Sequence, residues 1–185
     1  MTIRNIATLL AVLCCVPALA LADDDEGAYV ALNMGRGNFL HGCSSPGVVA
    51  NCTDNRGYAY FATYGYQYTP MWGLEASYGK VGNFSNVRAM GLTVEGVATL
   101  RMGDVFAVFV KAGLAYMDFH EDVPNSVVKF NQSGYSPAGG AGLQFDFTPK
   151  LAMRVQADYF GAYTPYDGSP KVNALVTSAG LMVKY

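Results

Sequence analysis

Apolar residues alternate one by one with small or polar residues in eight separate stretches of this chain, and the links joining those stretches alternate between short and long. This rhythm constrains the fold more than any single motif. A period of two puts successive side chains on opposite faces of a strand. The clearest stretch runs from Ala89 to Arg101: Met90, Leu92, Val94, Ala98 and Leu100 share one face, and Gly91, Thr93, Glu95, Val97, Thr99 and Arg101 the other. Trp72, Leu74, Ala76 and Tyr78 oppose Gly73, Glu75, Ser77 and Gly79 in the same way. So do Leu151, Met153, Val155, Ala157 and Tyr159 against Ala152, Arg154, Gln156 and Asp158. The second stretch is the aromatic extreme, with Tyr58, Tyr60, Tyr64, Tyr66 and Tyr68 on one face. Looser alternation over 28–35, 105–119, 134–147 and 172–185 completes eight strands. They run to about 8–15 residues, in the range of the ~9–11 residues a tilted strand needs to cross a bilayer.

The links carry as much information as the strands. Thr69-Pro70-Met71, Met102-Gly103-Asp104 and Thr148-Pro149-Lys150 read as tight turns, whereas 38–56, 80–86, 120–133 and 162–171 read as longer polar connections. Strict alternation puts every short turn at one rim and every long loop at the other, the arrangement of barrels with tight periplasmic turns and long external loops. The expected fold is all-β: an eight-stranded antiparallel up-and-down transmembrane barrel. Composition agrees, with 21 Gly, 13 Tyr and 10 Phe in 185 residues, a profile of short strands and turns rather than helical bundles. Twelve basic against fourteen acidic residues leave no cationic excess for phosphate backbones, so nucleic acid is not an expected partner.

Residues 1–22 read as a cleaved export signal. Arg4 gives the positive start, 6–16 the apolar stretch, and Ala20-Leu21-Ala22 the cleavage pattern. The remaining 23–185 form the barrel domain. The apolar stretch is short for a spanning helix, and Val12-Leu13 before Cys14 lacks the small residue of a lipoprotein signal. Cys43 and Cys52 lie in one polar Gly/Ser/Asn-rich segment, and an exported protein with this even pair points to a disulfide. A zinc set would need more thiols or histidines. No metal or other cofactor is expected.

Face polarity separates a membrane barrel from a soluble sandwich or a lipocalin-like carrier. Glu75, Glu95, Arg101, Lys111, Asp146, Arg154 and Asp158 fall on the faces that also hold Gly, Ala, Ser and Thr, while the opposite faces are almost free of charge. Charges paired in a narrow lumen, with the uncharged faces in lipid, satisfy both environments. If Met102-Gly103-Asp104 is a three-residue turn, Arg101 pairs with Val105 and Glu95 faces Lys111. The same reasoning about Pro70 sets Gln67 opposite Gly73, and about Pro149 it sets Gln144 opposite Arg154. Trp72, Tyr68, Tyr78, Tyr116, Tyr159 and Tyr185 fall where strands should meet the membrane interfaces.

Ala28-Tyr29-Val30-Ala31-Leu32-Asn33-Met34-Gly35, Trp72-Gly73-Leu74-Glu75-Ala76-Ser77-Tyr78 and the stretch from Phe147-Thr148-Pro149 through Arg154 to Tyr159 resemble the eight-stranded transmembrane domain of the OmpA-like outer-membrane proteins. The terminal Tyr185 resembles their insertion signal. The resemblance covers nearly all of 23–185 and implies an integral protein of a Gram-negative outer membrane. No peptidoglycan-binding domain follows the last strand, so a wall-anchoring role is not carried over. An eight-stranded barrel is just wide enough for its own side chains, which argues against a general porin. The expected role is structural or surface-interacting, of the adhesin or virulence type, through external loops. Outer-membrane lipid and lipopolysaccharide are the expected partners, with host or matrix surface molecules at the loops. The alternatives are a lipid-modifying membrane enzyme and a soluble ligand-binding barrel. For the enzyme, His41 and His120 are the histidines, and both fall in expected loops. His120-Glu121-Asp122 beside Ser126 has the residue types of a site, but a His in a polar loop is more often solvated and neither His is expected on a strand near a Ser of the same face; with Asp118 the group matches no calcium loop. No enzymatic activity is expected.

Overall fold

The computed structural model describes residues 26–41, 56–84, 87–121, 131–163 and 172–185. Eight strands follow one another: β1 (Gly27–His41), β2 (Arg56–Gln67), β3 (Trp72–Phe84), β4 (Val87–Arg101), β5 (Phe106–Glu121), β6 (Asn131–Thr148), β7 (Leu151–Tyr163) and β8 (Val172–Lys184). Each pairs antiparallel with its sequence neighbour, and β8 returns to β1, closing the barrel in simple up-and-down order. Closure leaves no open sheet edge, which is the condition for a sheet to survive in hydrocarbon. The export segment 1–22 and the Cys43/Cys52 pair lie outside the described residues.

The short turns set the register. Around Pro70, Tyr68 N donates to Trp72 O at 2.9 Å and Trp72 N to Thr69 Oγ at 2.9 Å, so Gln67 stands opposite Gly73 as the sequence implies. At the β6–β7 turn Leu151 N donates to Thr148 Oγ at 3.0 Å, and Gln144 stands opposite Arg154. The β4–β5 turn departs from expectation. Met102 N donates to Phe106 O at 2.8 Å, so Gly103-Asp104-Val105 is the loop, and Arg101 pairs with Ala107 rather than Val105. Gly103 has a φ of 97°, a left-handed conformation that glycine adopts without a Cβ penalty; placing it first in the loop moves the register by two residues. Glu95 therefore faces Gly113, and Lys111 faces Val97. A shift of two keeps every side chain on its expected face.

At the other rim the strands outrun the sequence pattern. β3 continues to Phe84 and β4 starts at Val87, so the link expected over 80–86 is largely strand. A register shift between Lys80 and Gly82 accommodates Val81, which is fully buried. His41 and His120 are strand residues of β1 and β5, not loop residues.

Side chains sort by face as alternation requires. Leu32, Met34, Leu74, Val94, Leu114 and Val155 are exposed on the outside, while Glu75, Glu95, Lys111, Arg154 and Asp158 are buried in the lumen. An exposed apolar belt around a charged interior inverts a water-soluble protein and suits a lipid surround. Tyr68, Trp72, Tyr78, Tyr116, Tyr159 and Tyr185 all point outward. The register is testable by cross-linking. Cysteines at Leu100 and Val108, which are direct partners, should oxidise readily across β4–β5. Cysteines at Leu100 and Phe106, the pair a turn centred on Gly103 would create, should not, as read from non-reducing gel mobility.

Candidate functional site: the filled lumen

Seven charged residues assigned to the lumen from sequence form two groups in the structure. The deeper group joins Glu75, Glu95, Lys111, Arg154 and Asp158. Glu75 of β3 and Glu95 of β4 are direct cross-strand partners, a placement that destabilises a strand pair unless a cation intervenes. Lys111 of β5 supplies it: its Nζ lies 3.1 Å from Glu95 Oε2, 2.9 Å from Asp158 Oδ1 and 4.0 Å from Glu75 Oε2. Thr93 Oγ donates to Glu95 Oε2 at 3.3 Å, and Gln156 Nε2 to Asp158 Oδ2 at 2.7 Å. Lys111 therefore meets Glu95 across a diagonal rather than directly, because of the β4–β5 register.

Arg154 completes this group from β7. Its Nη1 pairs with Glu75 Oε1, which also accepts the Tyr29 hydroxyl at 2.5 Å, and its Nε donates to Gln144 Oε1 at 3.0 Å. The guanidinium carbon lies 5.0 Å from the centre of the Tyr29 ring and 4.6 Å from that of Phe109. Both contacts are within cation–π range, where desolvation strengthens the attraction. Each ring in turn lies over a glycine of the next strand. Tyr29 faces Gly65 and Phe109 faces Gly142 in register, and a Cβ on either glycine would run into the ring.

The second group sits toward the short-turn end. Asp146 accepts from Arg101 Nη1 at 3.3 Å, Lys184 Nζ at 2.8 Å and Gln144 Nε2 at 2.9 Å. Gln144 thus links the two groups. Sequence reasoning missed Lys184 here because alternation in β8 is weak, and it missed Tyr29 and Phe109 because an inward aromatic among outward ones carries no charge signature. The inward parity of Asn33 shared by Tyr29, and of Lys111 shared by Phe109, was the available signal.

Toward the long-loop end the described lumen residues are mostly apolar, with Ser136 buried beside them. Phe61 and Phe160 stack with ring centres 6.2 Å apart, and Val81, Met117 and Val176 are buried with them. This layer was not foreseen from the charges. Phe61 interrupts the outward tyrosines of β2 at the opposite parity, and that was its only mark in the sequence.

A closed barrel with a lipid-facing belt and an interior filled by ion pairs and packed rings defines an integral outer-membrane barrel with an occluded lumen. The chain belongs to the outer membrane protein beta-barrel domain family, whose model matches residues 6–184. No curated protein is significantly similar to it in sequence. Among solved structures it is similar to Neisserial surface protein A (NspA), at TM-score 0.69 and 16% identity over 86% of this chain and 97% of that one. It is also similar to the N-terminal β-barrel domain of Pseudomonas aeruginosa OprF, at TM-score 0.56 and 19% identity over 85% and 98% of the two chains. Ail, the attachment invasion locus protein of Yersinia pestis, follows at TM-score 0.55 and 17% identity over 85% and 99%. Ail has also been crystallised in complex with the heparin analogue sucrose octasulfate. At these identities the likeness is one of fold.

Removing one partner of a buried ion pair typically costs about 3–5 kcal/mol, because the other charge is left uncompensated. Arg154→Met should lower unfolding stability by roughly that amount, and Glu75→Gln in the same background should restore part of it. Gly65→Val should also destabilise by displacing Tyr29, whereas Gly96→Val, on the open outer face, should be tolerated. Urea titration in detergent, followed by the fluorescence of Trp72, the sole tryptophan, measures all four.

Proposed function

We propose that this protein acts at the cell surface through its long external connections, as a non-catalytic adhesin-type or structural barrel. In this reading it reaches the outer membrane after cleavage behind Ala22, leaving 23–185 as the barrel domain. The observation that carries the reading is the filled lumen. Arg154 and Lys111 with their carboxylates, and Phe61, Val81, Met117 and Phe160 beyond them, occupy the space a solute would need. Specific interactions are thereby displaced to the links between β1 and β2, β5 and β6, and β7 and β8, which span residues 42–55, 122–130 and 164–171. Ail, of similar fold, has been crystallised with a heparin analogue, which supports sulfated surface polysaccharides as one class to test for these links.

In this proposal a Cys43–Cys52 bond closes the first link. Closing a loop of this size restricts the unfolded chain by roughly 2–3 kcal/mol in the chain-entropy view. Lipopolysaccharide surrounds the outer rim. Arg36, exposed on the outer face and 5.8 Å from the centre of the Tyr58 ring, is placed to meet an anionic headgroup.

Deleting residues 44–51 should leave the heat-modifiable gel shift of the folded barrel intact while reducing attachment of expressing cells to heparin-coated or matrix-coated surfaces. Unchanged attachment would remove this loop from the proposal, and loss of the folded band would show that the loop serves the barrel itself. His120→Ala should leave lipid A and phospholipid profiles unchanged; a reproducible alteration would favour the lipid-modifying enzyme instead.

A further inference from the structure

A groove of about 580 Å³ crosses β6, β7, β8 and β1 on the lipid-facing side of the barrel. Its floor follows from the register. Ala141, Ala157 and Thr177 are successive cross-strand partners, and Thr177 pairs with Arg36 of β1. All four point outward and are exposed. Three small side chains in one row leave a trough beside the bulkier next row, where Leu143, Val155 and Met34 stand. Neighbouring strands lie about 4.8 Å apart, so the row from Ala141 to Arg36 spans about 14 Å. The trough also climbs. Ala141 is ten residues from the long-loop end of β6 at Asn131, whereas Tyr58, the β2 partner of Arg36, is two residues from that of β2 at Arg56. An apolar channel thus runs from the middle of the belt to the long-loop rim and ends on a guanidinium.

Among the described residues of this lining, Arg36 is the sole charge, and no carboxylate pairs with it; its contact is the Tyr58 ring. On the far side of β2, Lys80 pairs in register with Tyr60, also outward, and it too meets no carboxylate among the described residues. The outward carboxylate described in this half is Asp118, two strands beyond Lys80 across Met90, and it has an interaction of its own. Basic side chains on a lipid-facing surface cost least near the interface, where anionic headgroups can meet them.

We propose that this trough seats an acyl chain of a phosphorylated glycolipid of the external leaflet, whose phosphates are held by Arg36 and Lys80. The inference rests on the lipopolysaccharide contact proposed above and gives it a defined seat. An apolar trough alone would accept any lipid tail; the cation at its end selects a tail that carries an anionic head. Arg36 and Lys80 stand two strand spacings apart, about 10 Å, which favours a headgroup with more than one phosphate over a zwitterionic or singly charged one. A guanidinium stacked on a ring keeps its N–H edges free, so the Tyr58 contact orients Arg36 without using up its donors. The exposed hydroxyls of Tyr58 and Tyr60, between the two cations, add donors for the same head.

The test uses the full barrel in phosphatidylcholine nanodiscs containing increasing fractions of diphosphoryl lipid A or, separately, of phosphatidylglycerol. Amide resonances of Arg36, Ala157 and Thr177 are followed by NMR, with that of Ala112, exposed on the outer face of β5, as the reference for bulk lipid. Saturable shifts at the first three and not at Ala112 are expected with lipid A, and none with phosphatidylglycerol. Arg36→Gln with Lys80→Gln should weaken the response at least about tenfold, and Ala157→Leu, which fills the trough, about threefold or more. Ala112→Leu should leave it unchanged. If the double variant yields no heat-modifiable folded band, Ala157→Leu decides alone. An equal response to phosphatidylglycerol overturns the choice of occupant. Shifts that are the same at Ala112, or indifferent to Ala157→Leu, overturn the site while leaving lipopolysaccharide around the rim. No response to lipid A anywhere on the barrel overturns both.

Discussion

A guanidinium buried in the middle of the barrel is the constraint around which the rest is arranged. Removing such a charge from water costs several kcal/mol even after relaxation, and Arg154 recovers this through an ion pair to Glu75, a hydrogen bond to Gln144 and two aromatic faces. The rings fit beside it only because Gly65 and Gly142 carry no side chain where Tyr29 and Phe109 lie. Five strands thus contribute to one stack, and glycines that look like weak points in β2 and β6 are its seats. The abundance of glycine and of aromatic residues in the chain has, at these positions, a shared cause.

The lumen is layered rather than uniformly charged. A cavity at the short turns leads to the Glu75–Lys111–Arg154 ion cluster, and beyond that the Phe61–Phe160 stack and its aliphatic neighbours fill the long-loop half. Charges need mutual partners and rings need close packing, so the two layers fill the lumen by different means. On the outer surface every strand carries exposed apolar side chains, from Leu32 of β1 to Leu181 of β8, aromatic ones among them.

Much of the architecture was legible in the sequence because a period of two and alternating link lengths leave few alternatives. Strand number, strand order, face assignment and two of three turn registers follow from them directly. The β4–β5 turn was misread because Met102-Gly103-Asp104 and Gly103-Asp104-Val105 are both plausible three-residue loops, and the choice rests on which residue takes the positive φ. The link at 80–86 was misread because Gly79, Gly82 and Asn83 suggest a loop, whereas tertiary pairing with β4 extends the strand and absorbs the irregularity at Val81. Among the lumen residues, charge flagged the ion cluster. Nothing comparable flags an inward Phe61 or Tyr29, since an aromatic residue suits lipid, interface and core alike.

The facing of Glu75 and Glu95 bears on how the barrel assembles. An isolated β3–β4 hairpin sets two carboxylates against each other with no cation between them, and the relieving amine arrives only with β5, the guanidinium and Asp158 only with β7. Hairpins added one at a time would therefore stall on an internal repulsion early in the chain. Ring formation that brings β3, β4, β5 and β7 together in one concerted event avoids that barrier, and makes the last strands to be synthesised a condition for the stability of the first.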